Sequence, residues 1–458
     1  MNLIQKFRTR VANAILPQAI RRFDAAGGGR RFGNTANFSN YRNETFVASS
    51  QIRPRARNLA VNNPWAANGI DNLVTALVGT GITPVAKIID KQARRAANAT
   101  FKKWAKTCDA EGLTDFYGLQ ARAALSLVID GEAFVYLKET SNGLKLQIIP
   151  PEQIGNQFAN TAESVGSLAG VIGGVRFNEA GERIAYQVRL NPNTSVITEI
   201  PAQDMVHLFM PLGAGQVRGV SWLAAVLLKL TDLDALEDAL LMGFKIAAMH
   251  MGFLTDLNNT SATVYDGTQT GTSLESALEP GTLKVLPAGV DVKFNSPSQA
   301  QQSVEFAALE LRAVAAGLQM PEFLLSGDMR GANYSSMRSA LVSFRQRIER
   351  IQYQIFIPQF LDKVWARVMF LQDQEIECEW FPPALPWVDP LKDVQAQQSE
   401  IEAGLTSRRH AVARRGYDVE DLDDEIAADR AREKLLGLSF IQQPNTGGTQ
   451  NANPQQSN

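Results

Sequence analysis

Two cysteines in 458 residues, Cys108 and Cys378, with no CxxC spacing, give no basis for a disulfide framework or a cysteine-built zinc site. Both read as buried, reduced thiols. Histidine is nearly as scarce, and His207, His250 and His410 fall in three separate segments. His207 lies in an apolar strand pattern and His250 at the end of an apolar helix pattern, where a satisfied core or interface histidine is the plainer reading. The local marks of nucleotide, zinc-protease and serine-hydrolase chemistry are also missing: GxxxxGK[ST], HExxH, GxSxG, and GxGxxG after a strand. The acidic runs Asp232-Asp234-Glu237-Asp238 and Asp418-Glu420-Asp421-Asp423-Asp424-Glu425 lack the Gly and Asn geometry of a calcium loop and read as solvated or channel-facing faces. No uncharged apolar run reaches the ~18 residues of a bilayer-spanning helix. The first residues lack the apolar core of a secretory signal. An excess of positive charge is missing as well: 45 Lys and Arg against 47 Asp and Glu give a net charge of −2. That excludes a uniformly basic nucleic-acid binder while permitting local patches. Together these absences point to a soluble protein of a reducing compartment without a membrane span, and move the weight from an enzyme toward a structural machine with no cofactor or metal.

What is present is a long apolar helix pattern. Val220 to Met251 contains no proline and is dense in Leu, Ala and Met. As one helix it would run nearly 50 Å, at about 1.5 Å per residue. Its apolar residues, among them Trp222, Leu227, Leu230, Leu233, Leu236, Leu240 and Phe244, surround most of the cylinder. Such a helix needs neighbours on several sides, and other subunits can supply them.

The rest of the chain reads as mainly helical α+β. Residues 1–62 form a basic arm, with Arg53, Arg55 and Arg57 near its end. The arm could touch nucleic acid, pack on a neighbouring subunit, or be a transit segment. Helices are expected from Pro64 to Gly79, Lys87 to Cys108 and Leu113 to Ile129. Short alternating runs then predict an antiparallel sheet: Glu132–Glu139, Leu144–Ile149, Ile172–Phe177, Ile184–Leu190, Val196–Ile200 and Met205–Met210. After the long helix, Leu283–Leu286 and Val290–Phe294 suggest a small hairpin, and Ser303–Leu318 a further helix. The loop PEFLLSGDMRGAN, Pro321 to Asn333, interrupts the pattern. A helix capped by Ser335 or Ser336 follows and should kink at Pro358. Ile376–Trp380 reads as a strand, Leu391–Leu438 as helical and charged, and 439–458 as disordered.

Six stretches in this order resemble the lambda-type family of phage portal proteins: RARNLAVNNPWAANGIDNLVTALVGTGITP (Arg55 to Pro84), FKKWAKTCDAEG (Phe101 to Gly112), DGEAFV (Asp130 to Val135), GQVRGVSWLAAVLLKLTDL (Gly215 to Leu233), LEPGTLKVLPAGVDVKF (Leu278 to Phe294) and NYSSMRSALVSFRQ (Asn333 to Gln346). The resemblance runs from about Arg55 to about Leu391.

The resemblance implies a portal-type fold: a wing of helices and antiparallel sheet over 63–217, stem helices at 218–253 and 298–319, and a small clip at 254–297 between them. A tunnel loop at 320–334, a kinked helix with a return strand at 335–390 and a helical crown at 391–440 would complete it. It implies a homo-oligomer of 12 subunits, a ring at one capsid vertex through which double-stranded DNA passes without sequence preference. Implied partners are the terminase large subunit, head-tail joining or head completion proteins, and major capsid or scaffold protein. Implied locations are the virion and, during assembly, the host cytoplasm. Asp328, Arg330 and Asn333 would face DNA, although Arg330 could instead pair with Asp328 or a neighbouring subunit. Leu233, Leu236, Leu240 and Phe244 would meet the next subunit, and Lys284, Lys293 and Phe294 would meet the clip's partners. A near-neutral chain suits a conduit that must not hold DNA tightly. The alternatives are a nucleic-acid-processing enzyme with an unrecognised site and a helical scaffold with no DNA role.

Overall fold

A computed structural model describes residues 41–155, 161–162, 169–248, 252–254, 283–285, 300–330, 333–383, 390–415, 417 and 419–438. The first 40 residues of the expected arm, most of the clip and the expected tail lie outside these.

The last part of the expected arm is helix α1, Tyr41–Asn62. It runs almost directly into α2, Pro64–Val78, whose N-cap Asn63 accepts from the Ala66 amide at 2.7 Å. Pro64 occupies the first helical position, where its missing N–H costs nothing, and Gly79 ends the helix at φ 54°. Strand β1, Thr83–Ala86, follows. The residues just before Lys91 are therefore not helical, and α3, Lys91–Ala105, starts at its Asp90 cap, later than expected. Helix α4, Phe116–Ile129, likewise starts at its Asp115 cap. In both, a carboxylate that can accept from first-turn amides sets the start more strongly than apolar spacing does.

The expected sheet divides into two. Strands β2 (Glu132–Thr140) and β3 (Gly143–Ile149) form a hairpin. Next along the chain come β4 (Thr161–Ala162), β5 (Gly170–Ile172), β6 (Val175–Phe177), β7 (Arg183–Val188), β8 (Thr198–Pro201) and β9 (Met205–Phe209). β9 pairs antiparallel with β2, giving the order β3-β2-β9, while β4 to β8 form a separate five-stranded antiparallel sheet. The single expected strand Ile172–Phe177 is two strands turning at Gly173-Gly174. Strand alternation puts Ala133, Val135 and Leu137 into the large core with the helices and Phe134 into the core shared with the second sheet. Covered on both faces, the first part of β2 is an apolar run, Ala133–Leu137, opened by a buried charge, Glu132, while Lys138 and Glu139 beyond it are exposed.

The long helix is shorter than its pattern suggests. Trp222–Ala225 is a 3₁₀ turn capped by Ser221, and the Val226 amide that ends it donates to the Leu223 carbonyl three residues back at 2.9 Å. Helix α5 then spans Leu227–Ala248, roughly 33 Å rather than nearly 50 Å. Strand β10, Gly252–Leu254, pairs in parallel with β11, Leu283–Val285. The expected second arm of that hairpin, Val290–Phe294, lies outside the described residues. Helix α6, Ala300–Leu318, returns along α5, and a short α7, Glu322–Ser326, opens the following loop.

Helix α8, Tyr334–Ile351, passes into a π-helical segment, Gln352–Leu361, and then α9, Asp362–Phe370. Pro358 sits inside the π segment, where the wider i→i+5 pattern takes up the hydrogen bond a proline cannot make. Strand β12, Cys378–Phe381, pairs antiparallel with β1. Helices α10 (Pro390–Glu402), α11 (Arg408–Ala413) and α12 (Val419–Leu436) complete the described chain. Rings of α3, α4, α9 and β12 meet in the large core: Phe101 lies 5.0 Å from Trp365 and edge-on to Phe116 at 5.4 Å. Both cysteines are free, and burial pushes the Cys108 thiol up to about 12, keeping it protonated. Among the described residues, no helix is long and apolar enough to cross a membrane.

Candidate functional site: paired helices, a charged loop and a buried ionic network

Helices α5 and α6 meet along small and branched side chains. A Cβ at Gly317 would stand 2.3 Å from Val226 Cγ1, so any side chain there would force the valine to shift. Farther along the pair, Lys229 Nζ lies 2.7 Å from Glu310 Oε2. At the root of the pair Val226, Leu227, Leu230 and Leu233 are buried, as are Val314, Ala315 and Leu318 opposite. At 100° per residue the α5 stripe continues through Leu241 and Phe244, which are 52% and 48% exposed. A second apolar line on α5, Leu228 and Met242, faces solvent in the single chain, as do Phe306 and Leu309 on α6. The expected interface residues therefore divide. Leu233 is only 1% exposed and belongs to its own chain's core, because the root of α5 is enclosed by α6 and α1. Leu236 and Leu240 are half-buried, and Phe244 is open. The acidic stripe is not wholly solvated: Asp234 accepts from Asn63 Nδ2 at 2.6 Å and Glu237 from Trp65 Nε1 at 3.1 Å.

The loop after α6 is pinned at its start and exposed at its tip. Asn68 Nδ2 donates to the Leu325 carbonyl at 2.8 Å and Asn72 Nδ2 to that of Leu324 at 2.9 Å, tying α7 to α2. Gly327, at φ 69°, turns the chain out of α7. Asp328 and Arg330 then form a forked pair, with Arg330 Nη2 2.8 Å from Oδ2 and Nε 3.0 Å from Oδ1. The Arg330 side chain remains 90% exposed. Its hydrogen bonds lower the Asp328 carboxyl to about 2. Asn333 is engaged as a helix cap. Its side chain accepts from the Ser336 amide at 2.8 Å, and the Ser336 hydroxyl accepts from the Asn333 amide at 3.3 Å, forming a capping box for α8. Asn333, not Ser335 or Ser336, is the cap. Farther along α8, Arg347 Nη1 donates to the carbonyls of Leu318 and Gln319 at the end of α6 and lies 5.5 Å from the Trp222 ring. Burial lowers this guanidinium to about 10.

A buried ionic cluster joins the root of α5 to the two sheets. Glu132, fully buried, accepts from Arg53 Nη2 at 2.8 Å, Arg218 Nη2 at 2.6 Å and the Gly219 amide at 2.8 Å. Its Oε2 also lies 3.1 Å from His207 Nε2, while His207 Nδ1 lies 3.2 Å from Arg183 Nη1. The neutral tautomer with its proton on Nε2 satisfies both neighbours. Burial lowers His207 to about 4, against the opposing pull of Glu132. Burial alone would raise Glu132, but Arg218 and His207 outweigh it and hold the carboxyl well below the usual range. Arg218 also donates to the Gly173 carbonyl at 2.6 Å and the Pro151 carbonyl at 3.1 Å. His207 is thus the satisfied core histidine that its strand context implies. No group of His, Cys, Asp or Glu suited to a metal ion occurs among the described residues.

Residues 29–352 match the family model described as phage portal protein, lambda family. The chain belongs to that family.

It is 27% identical over 425 residues to a probable portal protein of Halomonas phage phiHAP-1, spanning 84% of this chain and 81% of that one. It is 26% identical over 485 residues to portal protein B of Escherichia phage lambda, spanning 90% of each. Among solved structures, the neck of a native gene transfer agent particle computed with C12 symmetry aligns at a TM-score of 0.44 and 14% identity. That alignment covers 86% of this chain and 99% of the other. A HK97 family phage portal protein from Corynebacterium diphtheriae aligns at 0.35 and 12% identity, covering 72% and 96%. Membership places the chain among structural connector proteins, not enzymes.

Three of the portal-like sequence stretches meet at the ionic cluster: Arg57 pairs with Asp130 at 2.7 Å, and Glu132 with Arg218. Sequence reasoning named none of these as site residues, although one visible sign was the carboxylate of Glu132 directly preceding the apolar run Ala133–Leu137. Lys284 lies on β11 opposite Phe253. Lys293 and Phe294 lie outside the described residues.

Proposed function

We propose that this portal protein forms a closed ring of identical subunits, 12 by family expectation, at one vertex of the capsid, and that double-stranded DNA passes through it. The observation that carries this reading is the pair of uncovered apolar faces on α5 and α6. Leu241, Met242 and Phe244 on one helix and Val304, Phe306 and Leu309 on the other face solvent in the single chain. A monomer gains nothing from two such faces, whereas a ring needs two different patches per subunit to close. On this reading α5 and α6 are stem helices and the segment between them is the clip. The clip, including Lys284, Lys293 and Phe294, would meet the terminase large subunit during packaging and head-tail joining or head completion proteins afterwards. Major capsid or scaffold protein would surround the ring, which would assemble in the host cytoplasm and remain in the virion.

The Asp328–Arg330 pair would then recur around the tunnel as alternating charge. Its exposed guanidinium offers each passing phosphate a weak, screened contact instead of a holding site. The testing experiment images purified full-length protein by negative stain, with Arg330→Ala and Phe244→Asp beside it. Rings from the wild type and Arg330→Ala, none from Phe244→Asp, and altered DNA retention with Arg330→Ala in packaging assays are expected. A persistent monomer, or rings from all three with unaltered DNA retention, would overturn the reading.

A further inference from the structure

Helix α3 carries a line of cations. At 100° per residue, Lys91, Arg95, Lys102 and Lys106 fall within a narrow strip, with Arg94 beside it. The residues interleaved with them, Gln92, Asn98, Ala99 and Thr100, are small or polar, so the strip offers no apolar anchor for a peptide and no aromatic platform for a base. In this structure α12 lies against it. Glu420 pairs with Arg94 and, at 3.0 Å, with Arg95 Nε. Asp424 stands 2.8 Å from Arg95 Nη2, and Asp421 3.7 Å from Lys102 Nζ.

The way α12 is held differs from every other helix contact described above. None of its residues is fully buried, and its apolar face is reduced to the half-buried Val419, Leu422 and Ile426, although helices in proteins are normally kept in place by such a face. Leu435 and Leu436 near its end face solvent. Its attachment therefore rests largely on carboxylate–cation pairs, to α3 and, through Asp423 and Arg408 at 2.7 Å, to α11. Glu420 is nearly enclosed, whereas the Asp424–Arg95 and Asp421–Lys102 pairs are open to water and weaken as salt rises. The carboxylates of Glu420 and Asp424, one turn apart, sit where a polyanion's charges would sit.

We propose that α12 is a detachable acidic cover over a phosphate-binding strip on α3, and that the strip's occupant when the cover lifts is the backbone of duplex DNA. The choice of DNA rests on the portal reading above, in which duplex passes close to the protein. The strip itself reads only regularly spaced negative charge, without sequence preference. While α12 is seated, the chain presents no continuous basic surface there, in keeping with a conduit that must let DNA slide. Once it lifts, four cations on one helix face become available to phosphates together.

The test uses the intact full-length protein carrying Glu420→Gln, Asp421→Asn and Asp424→Asn together. Hydrogen exchange across 419–436 reports whether α12 lifts. Fluorescence anisotropy with a duplex of about 30 base pairs reports DNA affinity as salt is varied. Faster exchange in α12 is expected, with duplex affinity up about tenfold at low salt and a salt dependence steeper by roughly three to four log units per decade. Adding Lys91→Gln, Arg95→Gln and Lys102→Gln should abolish that gain. The proposal is overturned if α12 stays protected, if it lifts without a gain in affinity, or if the gain survives loss of the three cations. Negative-stain images of the same preparations keep the two readings separate. A gain in affinity without rings counts against the portal reading alone, and rings without a gain count against this proposal alone.

Discussion

Arg218 and Glu132 are 86 positions apart in the chain, yet Arg218 Nη2 lies 2.6 Å from Glu132 Oε1 with neither side chain appreciably exposed. Arg53 shares the same carboxylate oxygen at 2.8 Å. One buried anion thus offsets two buried cations from the helix and the loop that flank it. Glu132→Gln should lower the unfolding free energy by about 3–5 kcal/mol, since the guanidiniums stay buried and lose their counter-charge. Urea unfolding of the variant measures this. In a cycle with Arg218→Met, a coupling of at least about 1 kcal/mol is expected, and simple additivity would show that the pair contributes no specific interaction.

The same cluster sets a pH dependence. His207 is held neutral, its pKa lowered from 6.5 to about 4, with Glu132, Arg183, Arg218 and Tyr186 around it. Between those values the unfolded chain binds a proton that the folded chain does not, so stability rises with pH through the window. It is complete above about 6.5 and is lost progressively as pH falls toward 4, by about 3 kcal/mol as an order of magnitude. Below that, Glu132, whose folded pKa is also depressed, continues the loss. His207→Gln should flatten the upper window while leaving acid unfolding below pH ~4 in place. An unchanged slope between pH 4 and 6.5 in that variant would place the titrating group elsewhere.

Leu233 and Phe244, on one stripe of α5, should behave in opposite ways when replaced. Leu233 fills the chain's own core, so Leu233→Ala should cost about 2–5 kcal/mol in any assembly state. Phe244 lies on the same stripe, 48% exposed, so Phe244→Asp should leave subunit stability within about 1 kcal/mol and abolish assembly. Thermal unfolding and sedimentation of both variants separate the effects. Equal losses of stability from the two would mean that the uncovered stripe packs within the subunit.

Much of the architecture follows from local chemistry. Pro64 and Gly79 bracket α2 as their conformational preferences require, and Pro358 marks the irregular part of the kinked helix. Strand β1 is not legible in the sequence because Thr83–Ala86 is too short to show a period, and its partner β12 lies nearly 300 residues away. The apolar pattern overextends the long helix because its spacing continues through Trp222–Ala225, whereas the hydrogen bonds there reach back three residues, from Ala224 to Ser221 and from Val226 to Leu223. For the loop, residue type identified Asp328 and Arg330 as charges on a turn, but their mutual pairing is a matter of geometry. The cap of α8 is read from sequence at Ser335 or Ser336, because serine is a common cap, and only the bond from the Ser336 amide to the Asn333 side chain moves it to Asn333. The ionic cluster was least legible, since Arg53 reads as one more charge in a basic arm until α1 is seen to lie beside β2.

The closest approach behind that cluster gives the last expectation. A Cβ at Gly131 would stand 2.0 Å from the Val220 carbonyl carbon, and one at Gly219 would stand 2.1 Å from the Gly131 carbonyl oxygen. Both contacts are to backbone, which has no rotamer to yield. Gly131 also has φ 84°, whereas the hairpin glycine Gly143 has φ 98° with open space around it. Gly143→Ala therefore carries only the backbone cost of about 1–2 kcal/mol. Gly131→Ala adds a clash and should cost more than about 4 kcal/mol, and Gly219→Ala should be nearly as severe without any contribution from φ. Urea midpoints of the three variants check the ranking. If Gly131→Ala merely matched Gly143→Ala, the two segments could separate at little cost. Since Glu132 and Arg218 directly adjoin these glycines, a separation large enough to admit a methyl group would also stretch their ion pair, so the two defects should appear together.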